Sequence, residues 1–360
     1  MNEVPEPFLT VAIPVFDGEA VLAPMLASLD AQDWSLFEVL FGDDGSTDGT
    51  PRVLEAFAAK HPGRVFVDRH ENVGPGPTRN RLLARARGKY VWFCDADDEL
   101  APGCIAAIAG ILSSRPSPVL SFSYGDPPAE SAVPPFGSGP VALDRTRLLL
   151  SIPAATVAKV FRTDLLRENG IEFPDLRIGE DFVFTMRAAL CADSGLHWFE
   201  RPYWVRRRPD SVSGRIDDAF CRSALESAAL VRNLAAAHPA DRMEIGVQEY
   251  LFLAYLRQRV EDEAPPDVAE RWLPAVKARM KELVDARDNP LLRFSNSVYR
   301  QFWQARRGAR LAERLREKAD ALRGKVLALK AQRAQMEGSI SWRLTAPLRL
   351  PGRLLGLLRR

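Results

Sequence analysis

Residues 37–60, FEVLFGDDGSTDGTPRVLEAFAAK, indicate the fold of this chain. The apolar run 37–41 predicts a β-strand, the polar stretch that begins at Asp43 predicts a turn, and residues 50–60 predict a helix. A strand, a turn and a helix in this order form the first half of a βαβ unit, in which the helix covers one face of a parallel sheet.

The same alternation continues on both sides of this unit. Further strands are predicted at 8–13, 64–68 and 90–94, and further helices at 18–31, 76–87 and 102–113. We therefore predict an α/β chain with an open, mostly parallel sheet, whose ligands bind beyond the carboxyl ends of the strands. Three strands end at residues that we expect to meet in one crevice: Pro14-Val15-Phe16, Asp43-Asp44 and Asp95-Ala96-Asp97.

The rest of the chain contains fewer strand signals and more helix signals. Residues 126–141 are rich in Pro, Gly and Ser, and they predict a loop between two halves of the first domain. Later predictions are a strand or turn and then a helix over 157–171, a helix over 180–192, a strand over 197–205, and helices from about 216 onward. We predict three parts: a domain at 1–215, a helical subdomain at 216–306, and a basic helical tail at 307–360.

The composition is that of a globular protein with a basic tail. Of 360 residues, 46% are hydrophobic and 27% are charged, which is ordinary for a folded domain. The net charge is only +2, yet residues 301–360 contain fifteen basic and four acidic side chains, which predicts contact with an anionic surface. No run approaches ~18 apolar residues and no signal-peptide pattern is visible, so we expect a cytoplasmic chain without a transmembrane helix.

The four cysteines have neither zinc-site nor disulfide-framework spacing. We expect all of them to be buried thiols of a reducing compartment: Cys94, Cys104, Cys191 and Cys221.

The tail has two segments with different patterns. Residues 308–337 have a short heptad pattern that is compatible with a homodimer, although Ala319 and Arg333 weaken it. Residues 338–360 combine Trp342 and many leucines with arginines, a composition suited to an amphipathic helix on a membrane surface. Packing of this segment on the protein's own helices is the alternative.

The acidic stretch CDADDE at 94–99 is a candidate metal site. It follows an apolar strand, and the two carboxylates of an Asp-x-Asp turn lie close enough to repel each other unless a cation lies between them. Mg²⁺ and Mn²⁺ bind carboxylate and phosphate oxygens together. The alternative is that Asp97 or Asp98 only caps the helix predicted at 102–113.

The stretch DDGSTDGT at 43–50 has two interpretations as well. It is a good turn and helix-capping sequence, or else Asp44 reaches a ligand such as the imide N–H of uracil. Residues 72–80 contain only part of a dinucleotide-binding glycine pattern, and no Walker-type GxxxxGK occurs in the sequence.

Taken together, these motifs resemble those of family 2 glycosyltransferases, which have the Rossmann-like GT-A fold. Seven stretches match in family order: VAIPVFDGEA (11–20), FGDDGSTDGT (41–50), ENVGPGPTRN (71–80), GKYVWFCDADDEL (88–100), KVFRTDLLRENGIEFP (159–174), RIGEDFVF (177–184) and YWVRRRPDSVSG (203–214). The resemblance covers about residues 7–215. The last segment of the chain, from Ser339 to Arg349, resembles a short module of bacterial polysaccharide-assembly transferases.

The resemblance implies where the sugar donor binds. Pro14, Phe16 and Glu19 would lie at the nucleoside pocket, Asp44 would contact the base, and Arg79 would lie near the nucleotide. The chain has Asp17 where the family often has asparagine, and both residues favour a turn.

The resemblance also implies which carboxylates bind metal and remove a proton. Asp95 and Asp97 would form the Asp-x-Asp pair, with Asp97 the more direct ligand of Mn²⁺ or Mg²⁺ and Asp95 also near the substrate. Glu180 and Asp181 would supply the general base, and we favour Asp181. The alternative for this pair is a favourable interaction with the helix dipole.

Arginines at 206–208 are the last candidates. Arg206 and Arg207 would bind the diphosphate from a basic loop, and the alternative is a solvated charged turn.

The sequence therefore predicts inverting transfer of a sugar from a nucleoside diphosphate, UDP above all. The acceptor would be a glycan or a lipid-linked saccharide of the cell surface, with a peripheral membrane contact and without a nucleic-acid partner. Two alternatives stay open. A nucleotidyltransferase would typically carry a glycine-rich phosphate loop after the first strand, where PVFDGEA stands. A catalytically silent scaffold of the same fold would lack the acidic motifs.

Overall fold

The computed structural model describes residues 6–128, 136–151, 155–206 and 216–285. The elements up to residue 125 are β1 (Leu9–Val15), α1 (Leu22–Asp30), β2 (Phe37–Asp44), α2 (Thr50–Lys60), β3 (Val65–His70), α3 (Pro75–Arg85), β4 (Tyr90–Phe93), β5 (Glu99–Leu100), α4 (Cys104–Ser114) and β6 (Val119–Gly125). The later elements are β7 (Val141–Asp144), α5 (Arg145–Ser151), β8 (Lys159–Arg162), α6 (Thr163–Glu168), α7 (Glu180–Cys191), β9 (Ser194–Trp204), α8 (Asp218–Ala237), α9 (Arg242–Glu263) and α10 (Pro266–Asp285). Short 3₁₀ turns cover Thr156–Ala158 and Pro239–Asp241.

Within the described ranges, nine strands form one open sheet in the order β3-β2-β1-β4-β8-β6-β9-β5, with β7 also paired to β9. The predicted α/β class is confirmed. Strands β3, β2, β1 and β4 are parallel, as expected, because a helix returns the chain between each pair. The other half of the sheet is mixed: β8 is antiparallel to both β4 and β6, whereas β6 and β9 are parallel.

The strand register confirms that the candidate motifs meet at one edge. Leu9 of β1 lies beside Phe37 of β2 on one side and beside Tyr90 of β4 on the other. All three strands run in the same direction, so their carboxyl ends meet at the same edge of the sheet.

The core lies on both faces of the sheet. Val11 and Ile13 of β1 belong to the apolar layer that includes α1, α2 and α4, whereas Ala12 belongs to the layer that includes α3, α6 and α7. This alternation follows from the two-residue period of a strand and gives a helix–sheet–helix sandwich.

Four elements were not assigned from the sequence: β5, β6, β7 and α5. β6, β7 and α5 lie in or beside the Pro- and Gly-rich region, whereas β5 is only two residues long. Each of the three strands pairs with β8 or β9, which are distant in sequence. The prediction that all four cysteines are buried was wrong for Cys191, which is exposed at the last position of α7.

The helices after residue 216 pack on the first domain, with α8 against α7 and α9 against α8. All described residues belong to one compact unit, which runs to Arg293. The predicted boundaries at 215 and 306 stay predictions, and the patterns at 308–337 and 338–360 lie outside the described residues. No described helix is long and apolar enough to cross a bilayer.

Candidate active site

A buried arginine gathers the acidic motifs into one cluster. Arg79 lies on α3 with only 7% of its side chain exposed. Its Nη2 donates to Asp95 Oδ1 at 2.8 Å, and its Nη1 donates to Glu180 Oε1 at 3.0 Å. Asp181 Oδ1 lies 3.6 Å from the same Nη1. Burial by itself would lower the pKa of Arg79, but the three carboxylates, led by Asp181, raise it, so the guanidinium stays charged.

The start of α7 depends on a glycine. Gly179 caps this helix with φ 86°, a left-handed conformation that disfavours other residues. A Cβ at this position would lie 2.5 Å from Ser227 Oγ, which itself donates to the Gly179 carbonyl at 2.9 Å. This turn fixes Glu180 and Asp181 in the first turn of α7, where the helix dipole favours negative charge.

The two adjacent carboxylates of α7 have different surroundings. Glu180 is 12% exposed in its side chain and bonds directly to Arg79. Burial, reinforced by the neighbouring Asp181, raises the pKa of Glu180 to about 7, although Arg79 opposes the shift. Asp181 is 24% exposed, and its Oδ2 accepts the Thr156 N–H at 3.0 Å. Asp181 is therefore the more accessible of the two.

The Asp-x-Asp turn is fixed to the end of β9. Tyr203 Oη accepts the Asp95 N–H at 2.9 Å and donates to Asp98 Oδ2 at 2.7 Å. The other oxygen of Asp98 accepts the Arg206 N–H at 2.9 Å. Asp97 and Asp98 do not cap α4, because the N-cap of that helix is Gly103 and it has no side-chain cap.

The residues of this turn fit a divalent cation that also binds a phosphate. Asp95 and Asp97 supply hard oxygen ligands. Desolvation by the surrounding protein raises the pKa of the Asp95 carboxyl, although 42% of the side chain is exposed. The Arg79 guanidinium opposes this rise in pKa, whereas the carboxylates of Asp181 and Asp97 add to it. Among the described residues, no group of three or more metal-binding side chains is close enough to enclose an ion. A bound metal would thus complete its shell with other ligands, as Mg²⁺ commonly does with substrate phosphates.

The expected nucleoside pocket lies at the ends of β1 and β2. Asp44 is buried, and its two oxygens accept the N–H groups of Val73 at 2.7 Å and Gly74 at 2.9 Å. It does not cap α2, whose N-cap is Gly49. Phe16 follows β1 and is 52% exposed, which leaves its ring free to contact a ligand.

Two acidic residues of the loop after β1, Glu19 and Asp17, form hydrogen bonds to the loop after β2. Glu19 Oε2 accepts the Gly49 N–H at 2.9 Å, and Asp17 Oδ1 accepts the Thr47 N–H at 2.7 Å. These bonds join the loop after β1 to the loop after β2. Pro14 lies within β1, beside Gly42 of β2.

The basic cluster is described only at its first residue. Arg206 is half exposed and forms an ion pair with Glu99 through its side chain. Arg207 and Arg208 lie outside the described residues.

Sequence reasoning missed four residues of this site: Asp98, Tyr203, Thr156 and Lys159. Lys159 had one usable signal, a lysine at the start of an apolar strand, but its partners are set by the fold.

The open mixed sheet with helices on both faces is that of the GT-A class of nucleotide-sugar-binding proteins. The family model described as glycosyl transferase family 2 matches residues 10–127. Residues 10–127 thus match the family that the motifs predicted.

Two similar proteins are named as poly(ribitol-phosphate) glycosyltransferases. The poly(ribitol-phosphate) beta-N-acetylglucosaminyltransferase TarS of Staphylococcus aureus is 31% identical over 195 residues, which are 51% of this chain and 33% of that protein. A poly(ribitol-phosphate) beta-glucosyltransferase of Bacillus spizizenii is 29% identical over 192 residues, 51% of this chain and 30% of that protein. The chain thus spans about a third of the length of these curated relatives.

A solved structure extends the similarity beyond the family match. The crystal structure of S. aureus TarS 1-349 in complex with UDP-GlcNAc superposes with a TM-score of 0.58 at 25% identity. The superposition covers 80% of this chain and 87% of that one.

Proposed function

We propose that this chain transfers a hexose-type sugar, with inversion, from a UDP-linked donor to a cell-surface glycan or a lipid-linked saccharide. One observation carries the proposal: the accessible Asp181 carboxylate lies beside Arg79, which also holds the Asp-x-Asp turn at Asp95. A proton acceptor and a candidate metal-diphosphate site are thus joined by one side chain. The names of TarS and the Bacillus enzyme support the substrate class.

Asp181 is the proposed general base. The side chain as a whole is 24% exposed, and its Oδ2 is oriented by the Thr156 N–H. Its Oδ1 is shielded from solvent, lies 3.6 Å from Arg79 Nη1 and has no hydrogen bond in the described structure. The carboxylate would remove the proton of the acceptor hydroxyl as that oxygen attacks the sugar carbon. Glu180 is the weaker candidate, because its carboxylate is already bonded to Arg79.

Asp97, assisted by Asp95, would hold Mn²⁺ or Mg²⁺. The cation would balance the charge on the departing diphosphate. Arg79 keeps the first aspartate of the pair in place through the 2.8 Å contact.

The donor would lie across the ends of β1, β2 and β4. Phe16 offers an exposed ring to the base, and each Asp44 oxygen keeps a lone pair for the uracil imide beside its backbone contact. Arg206 and Arg207 would bind the diphosphate from the end of β9.

Calorimetric titration with UDP, GDP, ADP and CDP, each with and without Mn²⁺, tests this proposal. We expect UDP to bind most tightly and Mn²⁺ to strengthen its binding, because the two aspartates need a cation to face a diphosphate. No binding of any nucleotide, or tight binding that is indifferent to metal and base, would refute the proposed function.

We further propose that residues 338–360 attach the chain to an anionic membrane, beside a lipid-linked acceptor. This segment contains arginines and leucines but no acidic residue. Each arginine near such a surface contributes about 1 kcal/mol, and salt weakens the attraction. The full chain is expected to sediment with anionic liposomes at low salt and to be partly released at high salt, whereas a chain ending at residue 337 stays in solution and still binds UDP. Equal partition of the two chains would contradict the membrane proposal and favour packing of the segment on the protein's own helices.

A further inference from the structure

A fully buried lysine interacts with one carboxylate of the acidic cluster, Asp181. Lys159 is the first residue of β8, and none of its surface is exposed. Lysine is almost never fully buried without a partner, because removing an ammonium group from water is costly. Burial lowers the pKa of Lys159 to about 7, and the nearby Asp181 carboxylate opposes that shift. A buried cation at this position therefore has an electrostatic link to the proposed base.

The contacts of Lys159 lead to Asp181 through a single peptide group. Lys159 Nζ donates to the carbonyl oxygen of Ala155 at 2.6 Å. The N–H of Thr156, which belongs to the same peptide group as that carbonyl, donates to Asp181 Oδ2 at 3.0 Å. The described residues contain no cis peptide bond, and in a trans peptide the C=O and the N–H point in opposite directions. Lys159 and Asp181 thus form hydrogen bonds to opposite sides of the same planar Ala155–Thr156 peptide group.

Both hydrogen bonds of this peptide group align with its dipole. The Lys159 amine donates at the carbonyl end and the Asp181 carboxylate accepts at the N–H end, so each hydrogen bond polarises and strengthens the other. The indole N–H of Trp92 also donates to the Val157 carbonyl at 2.8 Å, which fixes the Val157–Ala158 peptide, two peptide groups further on, to β4. Two buried side chains, Lys159 and Trp92, therefore hold the turn whose first N–H faces Asp181.

We propose that Lys159 is a positioning residue that orients the Asp181 carboxylate through the Ala155–Thr156 peptide group. This inference rests on the proposed function, in which Asp181 is the base. A lysine with only a structural role would stabilise the core without acting on the chemical step.

Lys159→Met removes the ammonium and keeps an unbranched apolar chain. We expect kcat for UDP release from the UDP-sugar, with water as the acceptor, to fall about ten- to a hundredfold, because small misplacements of a reacting group cost that much. The Kd for UDP with Mn²⁺ should stay within about twofold, since the Arg79–Asp95 contact does not involve Lys159. Lys60→Met changes a lysine that is 65% exposed on α2, and it should leave both quantities unchanged.

A double-mutant comparison separates positioning from a general structural effect. If Lys159 acts only through Asp181, adding Lys159→Met to Asp181→Asn should cause little further loss of kcat. Independent losses that multiply would overturn the inference, as would a single Lys159→Met variant with unchanged kcat or with UDP binding weakened in parallel.

Thr156→Pro is a second variant that keeps the inference testable if Lys159→Met does not fold. Proline removes the N–H that Asp181 accepts and puts its ring Cδ in that place, and it is tolerated at the first position of a helical turn. The preceding Ala155 has ψ 126°, which is compatible with a following proline, and Thr156 Oγ1 has no hydrogen-bond partner among the described atoms. We expect the same fall in kcat with UDP binding retained, and normal activity of a folded Thr156→Pro would contradict the positioning role. If the unaltered chain bound no nucleotide, the proposed function itself would fail, and the variants would not be the cause.

Discussion

Replacing Asp181 with asparagine is expected to slow sugar transfer by ~10²–10⁴-fold while UDP binds almost as it does to the unaltered chain. The amide has the shape of the carboxylate, and its oxygen can still accept the Thr156 N–H that Asp181 accepts at 3.0 Å. It cannot accept a proton from an attacking hydroxyl. Turnover measured as UDP release, together with calorimetric UDP affinity, separates the loss of chemistry from a loss of binding.

Two further substitutions give this experiment its controls. Glu180→Gln removes the neighbouring charge but keeps Asp181, so we expect it to retain more turnover than Asp181→Asn. Asp193→Asn changes a fully exposed carboxylate just beyond the end of α7 and should behave as the unaltered chain does. If Glu180→Gln is inactive and Asp181→Asn is active, the two roles must be exchanged. Retained activity in both would mean that the base lies elsewhere.

Replacing Asp97 with asparagine should reduce metal-dependent UDP binding and turnover by at least ~100-fold, which corresponds to about 3 kcal/mol. The substitution keeps the side-chain shape and removes the charge of the proposed metal ligand. It leaves the Arg79–Asp95 and Tyr203–Asp98 contacts in place, so thermal unfolding should be nearly unchanged. The decisive quantity is the ratio of the UDP Kd without Mn²⁺ to the Kd with Mn²⁺, which should fall towards one in Asp97→Asn and stay high in Asp193→Asn. A variant that keeps the full benefit of Mn²⁺ would show that Asp97 is not the ligand.

The parallel half of the sheet could be predicted from the sequence because its signals are local. Each of β1 to β4 is a short apolar run followed by a polar turn, and a helix with its own period follows the first three. Residues 50–60 were predicted as a helix with the bounds that α2 has. Since parallel strands in a βαβ order have their carboxyl ends on one edge, the convergence of Pro14, Asp44 and Asp95 followed from the order of the elements alone.

The candidate site was predicted as a set of residues, but its connections were not. Arg79 was expected near the nucleotide, whereas the structure shows its guanidinium bonded to carboxylates 16 and 101 residues further along the chain. The sequence left Glu180 and Asp181 nearly equivalent, because adjacent residues have the same local signal. Burial and the contact with Thr156 distinguish them in the fold.

Only the tertiary structure could reveal the supporting residues. Tyr203 joins Asp95 to Asp98 across more than one hundred residues, and Lys159 reaches the proposed base through the backbone of another residue. The physical reason is that local periodicity fixes where a strand or helix begins and which face is apolar. The partner of a buried polar group depends instead on which distant elements pack against it, and in this chain that packing decided which carboxylate is held by Arg79 and which remains accessible.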